Sequence, residues 1–441
     1  MRLIEHISES YRLAWPVIIT RGGVMAMEFV DIVMVGRYAT SELAYLSIGI
    51  IPYMPVFLIM LGLVTGTVIV VATAFGSGNL FNCGLAWRRS LPYALGLGIF
   101  GAILCQLGEP ILILSGQHNE LAHQGGRIMS IIGMGLPAYI ITITSTFFLE
   151  GIKRPKPVAT VIIISNIINI FLNWIFIYGN FNMSALGAEG SAITTVIIRW
   201  IGCFIILGYI FNMRDHRKFG VRMPPLNSWK EWAEQRRLGY AAAISIGVES
   251  VSFATIGLFA GWLSSTSLAA YSITLNIIAL VFMIALGFGS STTVRVGFFR
   301  GYGDCLAQQI AGWIGLMLNT IAMLIIGIGF TVFSTLIASG YSSDPNVIAI
   351  AGPLITFCAY IILVDGGQAV MVHALRGCGD KWLPPFIQSV SYLLFMVPLA
   401  WWLAIYKDGG VTGIFYAISI GSTLSFLLLA IRFQRKSSQS S

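Results

Sequence analysis

Twelve long apolar stretches, separated by shorter charged segments, limit how this 441-residue chain can fold. A helix crosses the ~30 Å hydrocarbon core of a bilayer with about 20 apolar residues. The predicted spans are residues 12–36, 45–72, 91–115, 127–150, 157–179, 189–212, 239–262, 271–296, 310–338, 346–374, 384–406 and 410–432. Only 10% of the residues are charged, whereas soluble domains carry about 25%. The pattern predicts an all-α polytopic membrane protein with twelve transmembrane helices.

Basic residues collect on one side of these predicted spans. That side carries Arg88, Arg89, Lys153, Arg154, Lys156, seven Lys or Arg in 213–238, Arg295, Arg300, Arg376, Lys381 and the basic residues near both ends of the chain. The opposite side carries Arg37, Arg127 and Lys407. Because cytoplasmic loops hold the excess of Lys and Arg, we expect a multi-pass protein of the inner (plasma) membrane with both termini in the cytoplasm.

A shift of 225 residues aligns the two halves of the chain. The aligned identical pairs include Gly36 and Gly261, Leu43 and Leu268, Ala44 and Ala269, Ser47 and Ser272, and Ile48 and Ile273. Each half holds six predicted helices, so both halves enter the membrane in the same direction. We expect two six-helix lobes, residues 1–212 and 239–441, related by a pseudo-twofold axis along the membrane normal, as in transporters with parallel repeats. The second lobe ends in a cytoplasmic tail.

The segment 213–238 between the lobes is basic and is predicted to be a cytoplasmic linker. Within it, Ser228 and Glu231 have the spacing of a capping box, in which a serine begins a helix and a glutamate follows three residues later. The sequence predicts a short interfacial helix here, with Trp229 and Trp232 at headgroup depth.

Four acidic residues lie well inside the predicted spans: Glu28, Asp31, Glu249 and Asp365. Ionisable side chains are costly in a bilayer and mark ion or substrate pathways. Such a carboxylate can exchange a proton, hold Na⁺ or attract an organic cation. The structural alternative pairs each acid with a base, and Arg21 offers Glu28 this kind of partner because it lies seven residues earlier on the same helix face.

Other polar residues inside the spans have structural or functional interpretations. Asn169 and Asn173 are four residues apart on one helix face, which is typical of hydrogen bonding between helices or of a cavity lining. Arg199 has no evident partner in the sequence. His373 is better explained by packing than by proton transfer.

The sequence contains none of the motifs that would indicate an enzyme. The six cysteines show no C-x-x-C pair and the five histidines no H-E-x-x-H spacing, so we expect neither a metal site of that kind nor a disulfide. A nucleophile–base arrangement is also missing. The net charge of +8 is spread over short loops, which excludes a nucleic-acid surface. We expect a protein without catalytic residues or a cofactor.

Several short motifs resemble the multidrug and toxic compound extrusion (MATE) family, most closely its NorM-like bacterial branch. The segments that carry the resemblance are Phe29–Arg37 (FVDIVMVGR), Leu172–Gly179 (LNWIFIYG), Val294–Gly297 (RVG at its end), Val364-Asp365, and Leu375–Gly377 (LRG), together with Glu249 in the seventh span. They run in the family's order through the chain. Glu28 departs from the pattern, since relatives carry a small residue there, and Ile361 stands where a tyrosine is expected.

The resemblance implies a cation-coupled exporter whose two lobes rock between inward-open and outward-open states. It implies that Asp31 serves the first lobe, and that Glu249 and Asp365 form a cation site in the second, with Na⁺ as their ligand if the protein is sodium-coupled. Glu28, Arg21, Asn169 and Asn173 are predicted to support the site.

The sequence predicts a multidrug antiporter that exports cationic amphipathic drugs and dyes, driven by Na⁺ or H⁺. We expect a monomer in contact with membrane lipids. The alternative is a lipid-linked-sugar flippase of the same superfamily fold, which would favour a cavity lined by basic residues. A channel is disfavoured because no filter-like loop is repeated.

Overall fold

Every regular element in the described chain is a helix. The structure is a computed structural model, and it describes residues 3–224, 230–342 and 344–438. No strand occurs within these ranges, so the all-α prediction is confirmed.

The first half of the chain forms ten helices. They are α1 (Leu3–Tyr38), α2 (Thr40–Val64), α3 (Gly66–Gly76), α4 (Leu80–Cys105), α5 (Gly108–Leu114), α6 (Asn119–Gly133), α7 (Leu136–Gly151), α8 (Lys156–Phe176), α9 (Gly187–Asn212) and the one-turn α10 (His216–Phe219).

The second half forms longer helices. They are α11 (Ala233–Leu263), α12 (Ser265–Tyr302), α13 (Cys305–Tyr341), α14 (Pro345–Gly377), α15 (Leu383–Gln388), α16 (Val397–Trp401) and α17 (Gly410–Ser438). Two π-helical segments, Ser389–Met396 and Trp402–Tyr406, follow α15 and α16 and make Leu383–Tyr406 one helical stretch.

Each of the twelve predicted spans coincides with one straight or bent helical stretch. In the described chain, nine stretches are long and apolar enough to cross a bilayer, and the number reaches eleven if each of two bent pairs is one span. These pairs are α4 with α5, bent by 51°, and α6 with α7, bent by 46°. The structure is therefore that of a multi-pass membrane protein, and the count of twelve spans stays a prediction.

The contacts divide the chain into two compact units. Ile19–Ala243 forms the first, named the N-unit, and Met1–Ile18 together with Ile244–Ser441 forms the second, named the C-unit. The boundary at Ile18 lies within α1, so the start of the chain belongs with its second half. This division differs from the predicted lobe boundaries, and the two six-helix lobes stay a prediction.

The N-unit is packed around large aromatic side chains. Trp87 of α4 is fully buried and lies against Phe148 of α7, with ring centroids 5.4 Å apart. Its indole N–H donates to Ser145 Oγ at 3.1 Å, which satisfies the one polar atom of the ring. Gly98 allows the same two helices to approach closely, because a Cβ there would lie 2.4 Å from the Cα of Pro137. Small residues at such crossings are typical of membrane helices.

In the C-unit, Arg295 ties α12 to the first turns of the chain. Its side chain is fully buried, one residue before the end of the predicted span 271–296. The guanidinium donates to the carbonyl oxygen of His6, to Ser10 Oγ and, at 3.5 Å, to Glu9 Oε2. α12 continues to Tyr302, so the helix extends beyond the predicted end of the eighth span and Arg295 lies within it.

Part of the predicted linker lies outside the described residues. These include Ser228 and Trp229, so the predicted interfacial helix cannot be placed there. Trp232 precedes α11, which begins at Ala233, six residues before the predicted seventh span. Gln235, in the first turn of α11, donates to Thr67 Oγ1 at 3.1 Å and to Ser90 Oγ. The end of this segment is therefore packed against α3 and α4.

Asp215 and Arg154 form a paired contact between the loops that follow α9 and α7. Two hydrogen bonds, of 2.9 and 2.6 Å, join the guanidinium to the carboxylate. These bonds hold the pKa of Asp215 below its ordinary value of 3.8. A lowered carboxyl pKa stabilises the fold above pH ~4, and this stability is lost as pH falls through the lower folded-state pKa.

We predict that Asp215→Asn lowers the free energy of unfolding at pH 7 by about 1 kcal/mol, since the pair is partly exposed and screened. Thermal unfolding in detergent between pH 7 and 3 measures this loss. The difference from the wild type should shrink below pH ~4. A constant difference across the range would contradict the ionic origin, and Arg154→Gln should behave like Asp215→Asn.

Candidate functional site

Asp31 of α1 is held by three neutral donors in the N-unit. Its Oδ1 accepts from Asn169 Nδ2 at 3.0 Å and from Asn173 Nδ2 at 2.6 Å, and its Oδ2 accepts from Thr195 Oγ1 at 3.4 Å. The two asparagines lie one turn apart on α8, so both side chains reach the same carboxylate. The structure therefore brings together three residues that the sequence singles out, and adds Thr195 from α9.

Glu28 lies one turn before Asp31 and is exposed. The positive charge that acts on Glu28, and also on Asp31, is Arg199 of α9. Within the described residues no ion pair joins Glu28 to Arg21, whose charge acts instead on Tyr139. The pairing considered for Glu28 and Arg21 is thus not formed, and the counter-charge that acts on Glu28 is Arg199.

An aromatic group surrounds Arg199. Its guanidinium carbon lies 4.5 Å from the ring centroid of Tyr139 and 5.4 Å from that of Tyr53. Phe57 stacks between the two tyrosines, with centroid distances of 5.1 and 6.1 Å. Arg199 Nη1 also donates to the Ile132 carbonyl at 3.3 Å. Rings of this kind hold a guanidinium by cation–π attraction, so they fix Arg199 beside the two acids.

The C-unit contains a second, more deeply buried carboxylate. Asp365 of α14 is 4% exposed, and its Oδ1 accepts from Ser422 Oγ at 3.1 Å and from Tyr392 Oη at 3.3 Å. Both donors are fully buried. The Tyr392 hydroxyl comes from the π-helical segment Ser389–Met396 and the serine from α17. Three neighbouring elements therefore converge on one carboxylate.

Glu249 of α11 is the second acid of this site. Its charge interacts with that of Asp365, and the positive charge that acts on it is Arg376 at the end of α14. The predicted pair of acids in the C-unit is therefore close enough to interact electrostatically. In the described residues, no group of three or more His, Cys, Asp or Glu is arranged to bind a metal ion. Any cation held here must take neutral oxygens as well.

Neutral oxygens of this kind occur on the elements that pack around Asp365. Asn319 Oδ1, Gln368 Oε1, Ser391 Oγ and Ser425 Oγ are buried and have no hydrogen-bond partner within the described chain. Gln368 lies one turn after Asp365, and Ser425 one turn after Ser422. Buried polar atoms require a partner such as water or an ion. Carboxylate, amide and hydroxyl oxygens suit a hard cation such as Na⁺, so these residues fit the predicted ligand.

Several site residues escape sequence reasoning. Thr195 lies four residues before Arg199 on one face of α9. Two polar residues at this spacing in an apolar helix indicate a polar helix face, and this could have identified Thr195. Asn319 is the single amide side chain within the predicted span 310–338, and a polar residue in an apolar span is a second indication of a site. Tyr392 and Ser422 are common residues in membrane helices, so nothing in the sequence marks them. Arg376, expected in a loop, ends α14 and is 9% exposed.

Comparison with known proteins identifies the family. The MatE family model matches residues 16–175 and again residues 241–402, well over half of the chain. The chain belongs to the MatE family. The two MatE matches begin 225 residues apart, which is the shift that aligns the two halves. The resemblance predicted from the motifs is confirmed.

Two curated relatives cover nearly the whole chain. "Probable multidrug resistance protein NorM" of Caulobacter vibrioides is 33% identical, with 98% of this chain and 92% of that protein aligned. "Multidrug resistance protein PmpM" of Pseudomonas aeruginosa is 31% identical, with 99% of this chain and 92% of that protein aligned. Both are similar to this MatE protein from end to end.

A solved structure shares the MatE fold. The eukaryotic MATE transporter AtDTX14 superposes with a TM-score of 0.89 at 18% identity, covering 99% of this chain and 98% of that one. Since the family consists of transporters, this MatE protein is a transporter and not an enzyme.

We predict that the two donors to Asp365 stabilise the C-unit only while an acceptor is present. Asp365→Asn keeps an oxygen acceptor, whereas Asp365→Leu leaves the hydroxyls of Ser422 and Tyr392 buried and unpaired. Leu should therefore cost about 2 kcal/mol more than Asn. Thermal unfolding of both variants in detergent measures the difference, and since both remove the charge, only the hydrogen bonds differ. Equal stability would contradict the geometry.

Proposed function

We propose that this MatE protein is a multidrug efflux antiporter that exports organic cations in exchange for Na⁺ or H⁺. The observation that carries the proposal is the pair of carboxylate sites, one in each unit, held mainly by neutral donors. Both relatives are named multidrug resistance proteins. A carboxylate with neutral partners keeps its capacity to bind a cation, whereas one closed in a full ion pair would lose it.

We assign the organic cation to the N-unit site. Glu28 is exposed and Asp31 is half-buried, so a bulky ligand can approach both acids. Tyr139 is partly exposed and interacts with the charge of Glu28, so it adds an aromatic ring close to this acid. Together these groups suit a cationic amphipathic molecule.

We assign the coupling ion chiefly to the C-unit site. Asp365 is almost fully buried, and its surroundings supply hydroxyl and amide oxygens, which suit an ion without a large body. Glu249 and Asp365 share the negative charge, so one monovalent cation or one proton relieves the repulsion between them. Export is driven if this ion favours the state that releases the drug, because a ligand shifts an equilibrium by its difference in affinity for the two states.

We propose that the protein lies in the inner membrane with both termini in the cytoplasm, an orientation that the excess of basic residues on one predicted side supports. We propose that it works as a monomer, and that the two lobes predicted from the repeat alternate between inward-open and outward-open states. Alternating access of this kind is typical of repeat-built transporters.

The alternative is a flippase for lipid-linked sugars. An anionic diphosphate headgroup would favour several basic residues at the central site. The described sites instead contain four acids, Glu28, Asp31, Glu249 and Asp365, with Arg199 and Arg376 as the positive charges that act on them. The excess of acids favours cation export.

We predict that purified protein in liposomes moves ethidium when a Na⁺ gradient or a pH gradient is imposed. Asp31→Asn should lower the flux at least ten-fold because it removes the charge that attracts the dye. Fluorescence of the dye measures transport, and applying the two gradients separately identifies the coupling ion.

Asp408→Asn is the matched control for this experiment. Asp408 lies outside the helices in a left-handed conformation, with φ of 52°, which asparagine adopts readily. The control should transport like the wild type. Failure of both gradients to drive flux in the wild type would overturn the antiport proposal.

We predict that Arg199 weakens cation binding in the N-unit. Repulsion between like charges at a partly exposed site costs about 1.4 kcal/mol after screening, which is roughly ten-fold in affinity. Arg199→Gln should therefore bind tetraphenylphosphonium about ten-fold more tightly, and Glu28→Gln should bind it more weakly. Equilibrium dialysis measures both changes. Arg127→Gln is the control, since its 57% exposed side chain pairs with Glu189. Unchanged affinity in Arg199→Gln would contradict the assignment.

A further inference from the structure

An open cavity of about 700 Å³ lies in the C-unit at the junction of α11, α15 and α17. Its apolar wall includes Ile244, Trp382 and Phe386, which are 46%, 51% and 62% exposed. Lys381 and Arg432 also line it. The cavity therefore combines an apolar wall with basic groups, and neither proposed transport site uses it.

The charge around this cavity is positive. Arg432 donates through Nε to Asp380 Oδ2 at 2.7 Å, and its side chain remains 30% exposed. The turn before Lys381 is also flanked by Arg300, since a Cβ at Gly379 would lie 2.2 Å from Arg300 Nη1. Asp380 is the single acid among the lining residues. With Lys381 and Arg432 against Asp380, the lining residues carry a net charge of +1, which favours an anionic ligand.

The cavity lies at the predicted cytoplasmic surface of the membrane. Ile244 and Ser389 are each five residues inside a predicted span, and Arg432 ends the last one. Five residues of helix correspond to about 8 Å. This depth is that of lipid headgroups and the first acyl carbons, where tryptophan is enriched. The basic groups and the exposed rings thus lie where a phospholipid presents its phosphate and its chains.

We propose that this cavity binds an acidic phospholipid of the cytoplasmic leaflet. The phosphate lies beside Lys381 and Arg432, and the acyl chains lie along Trp382, Phe386 and Ile244. Basic pockets between helices on the cytoplasmic side bind acidic headgroups in this way. A free phosphate ion would use the basic groups but would gain nothing from the exposed apolar wall, so the combination favours a lipid.

The test uses full-length protein in nanodiscs that contain photoreactive phosphatidylglycerol or phosphatidylcholine, with the reactive group on the acyl chain. Mass spectrometry measures cross-linking to the peptide that spans residues 379–389. Phosphatidylglycerol should react preferentially. Lys381→Gln should reduce this preference about five-fold, the weight of one basic side chain at an anionic surface, and Lys381→Arg should retain it.

Lys407→Gln is the matched control. Lys407 lies over the ring of Trp402, 5.5 Å from its centroid, near the other end of the same helical stretch. It repeats the lysine–tryptophan combination on the predicted opposite side. The control should keep the lipid preference at residues 379–389. An equal loss in Lys407→Gln would show a general surface effect and overturn the site.

Two further outcomes would overturn the proposal. Equal cross-linking of the two lipids in the wild type would show that the headgroup is not recognised. Displacement of phosphatidylglycerol by inorganic phosphate, but not by chloride at the same ionic strength, would assign the cavity to a free anion. Thermal unfolding of each variant confirms that it is folded, and Lys381→Arg keeps the test valid if Lys381→Gln is unstable.

Discussion

A polar group inside a bilayer must find its partner within the protein, and this constraint determines how the helices of this chain are placed. Asp31 is satisfied by Asn169 and Asn173 of α8 and by Thr195 of α9, so three helices must meet at one carboxylate. Arg295 is satisfied by the first turns of the chain, which explains why Met1–Ile18 belongs with the C-unit. Apolar packing alone is not directional, whereas these bonds fix which helix faces meet.

The internal repeat supplies two scaffolds but not two equal sites. In the alignment of the halves, Asp31 corresponds to Ile256 and Glu249 to Val24 at a shift of 225 residues. Asp365 corresponds to Tyr139 at the shift of 226 that pairs Gly151 with Gly377. Tyr139 holds Arg199 by its ring in the N-unit, whereas Asp365 is the central acid of the C-unit. The same position in the repeat thus carries a group that holds a cation in one unit and an acid in the other. The repeat in the sequence therefore does not extend to the charged residues of the two sites.

The sequence predicts the helices well because each must be a long apolar stretch, and it predicts the Asp31 group because Asn169 and Asn173 share a helix face. It does not predict Arg199 as the counter-charge of Glu28, since that contact joins helices far apart in the chain. Arg21 lies on the same helix face as Glu28, yet its charge acts on Tyr139 of another helix. Nothing in the sequence distinguishes Tyr392 and Ser422 from other tyrosines and serines in membrane helices. The burial of Arg295 is not predicted either, because it depends on where α12 ends, and apolar patterns define helix ends only approximately.

Arg199 also bears on how a site of this kind can release its ligand. Two acids one turn apart, unopposed in a medium of low dielectric constant, would hold a cation strongly, and a transporter must also let it go. A positive charge fixed by Tyr53 and Tyr139 lowers the attraction without closing an ion pair, because its hydrogen bond goes to the Ile132 carbonyl. Under the proposed function, the acids therefore remain available to a ligand while Arg199 weakens its binding. In the C-unit, the positive charge of Arg376 acts on Glu249 in the same way. Each unit therefore contains one arginine that weakens the attraction of its acids for a cation.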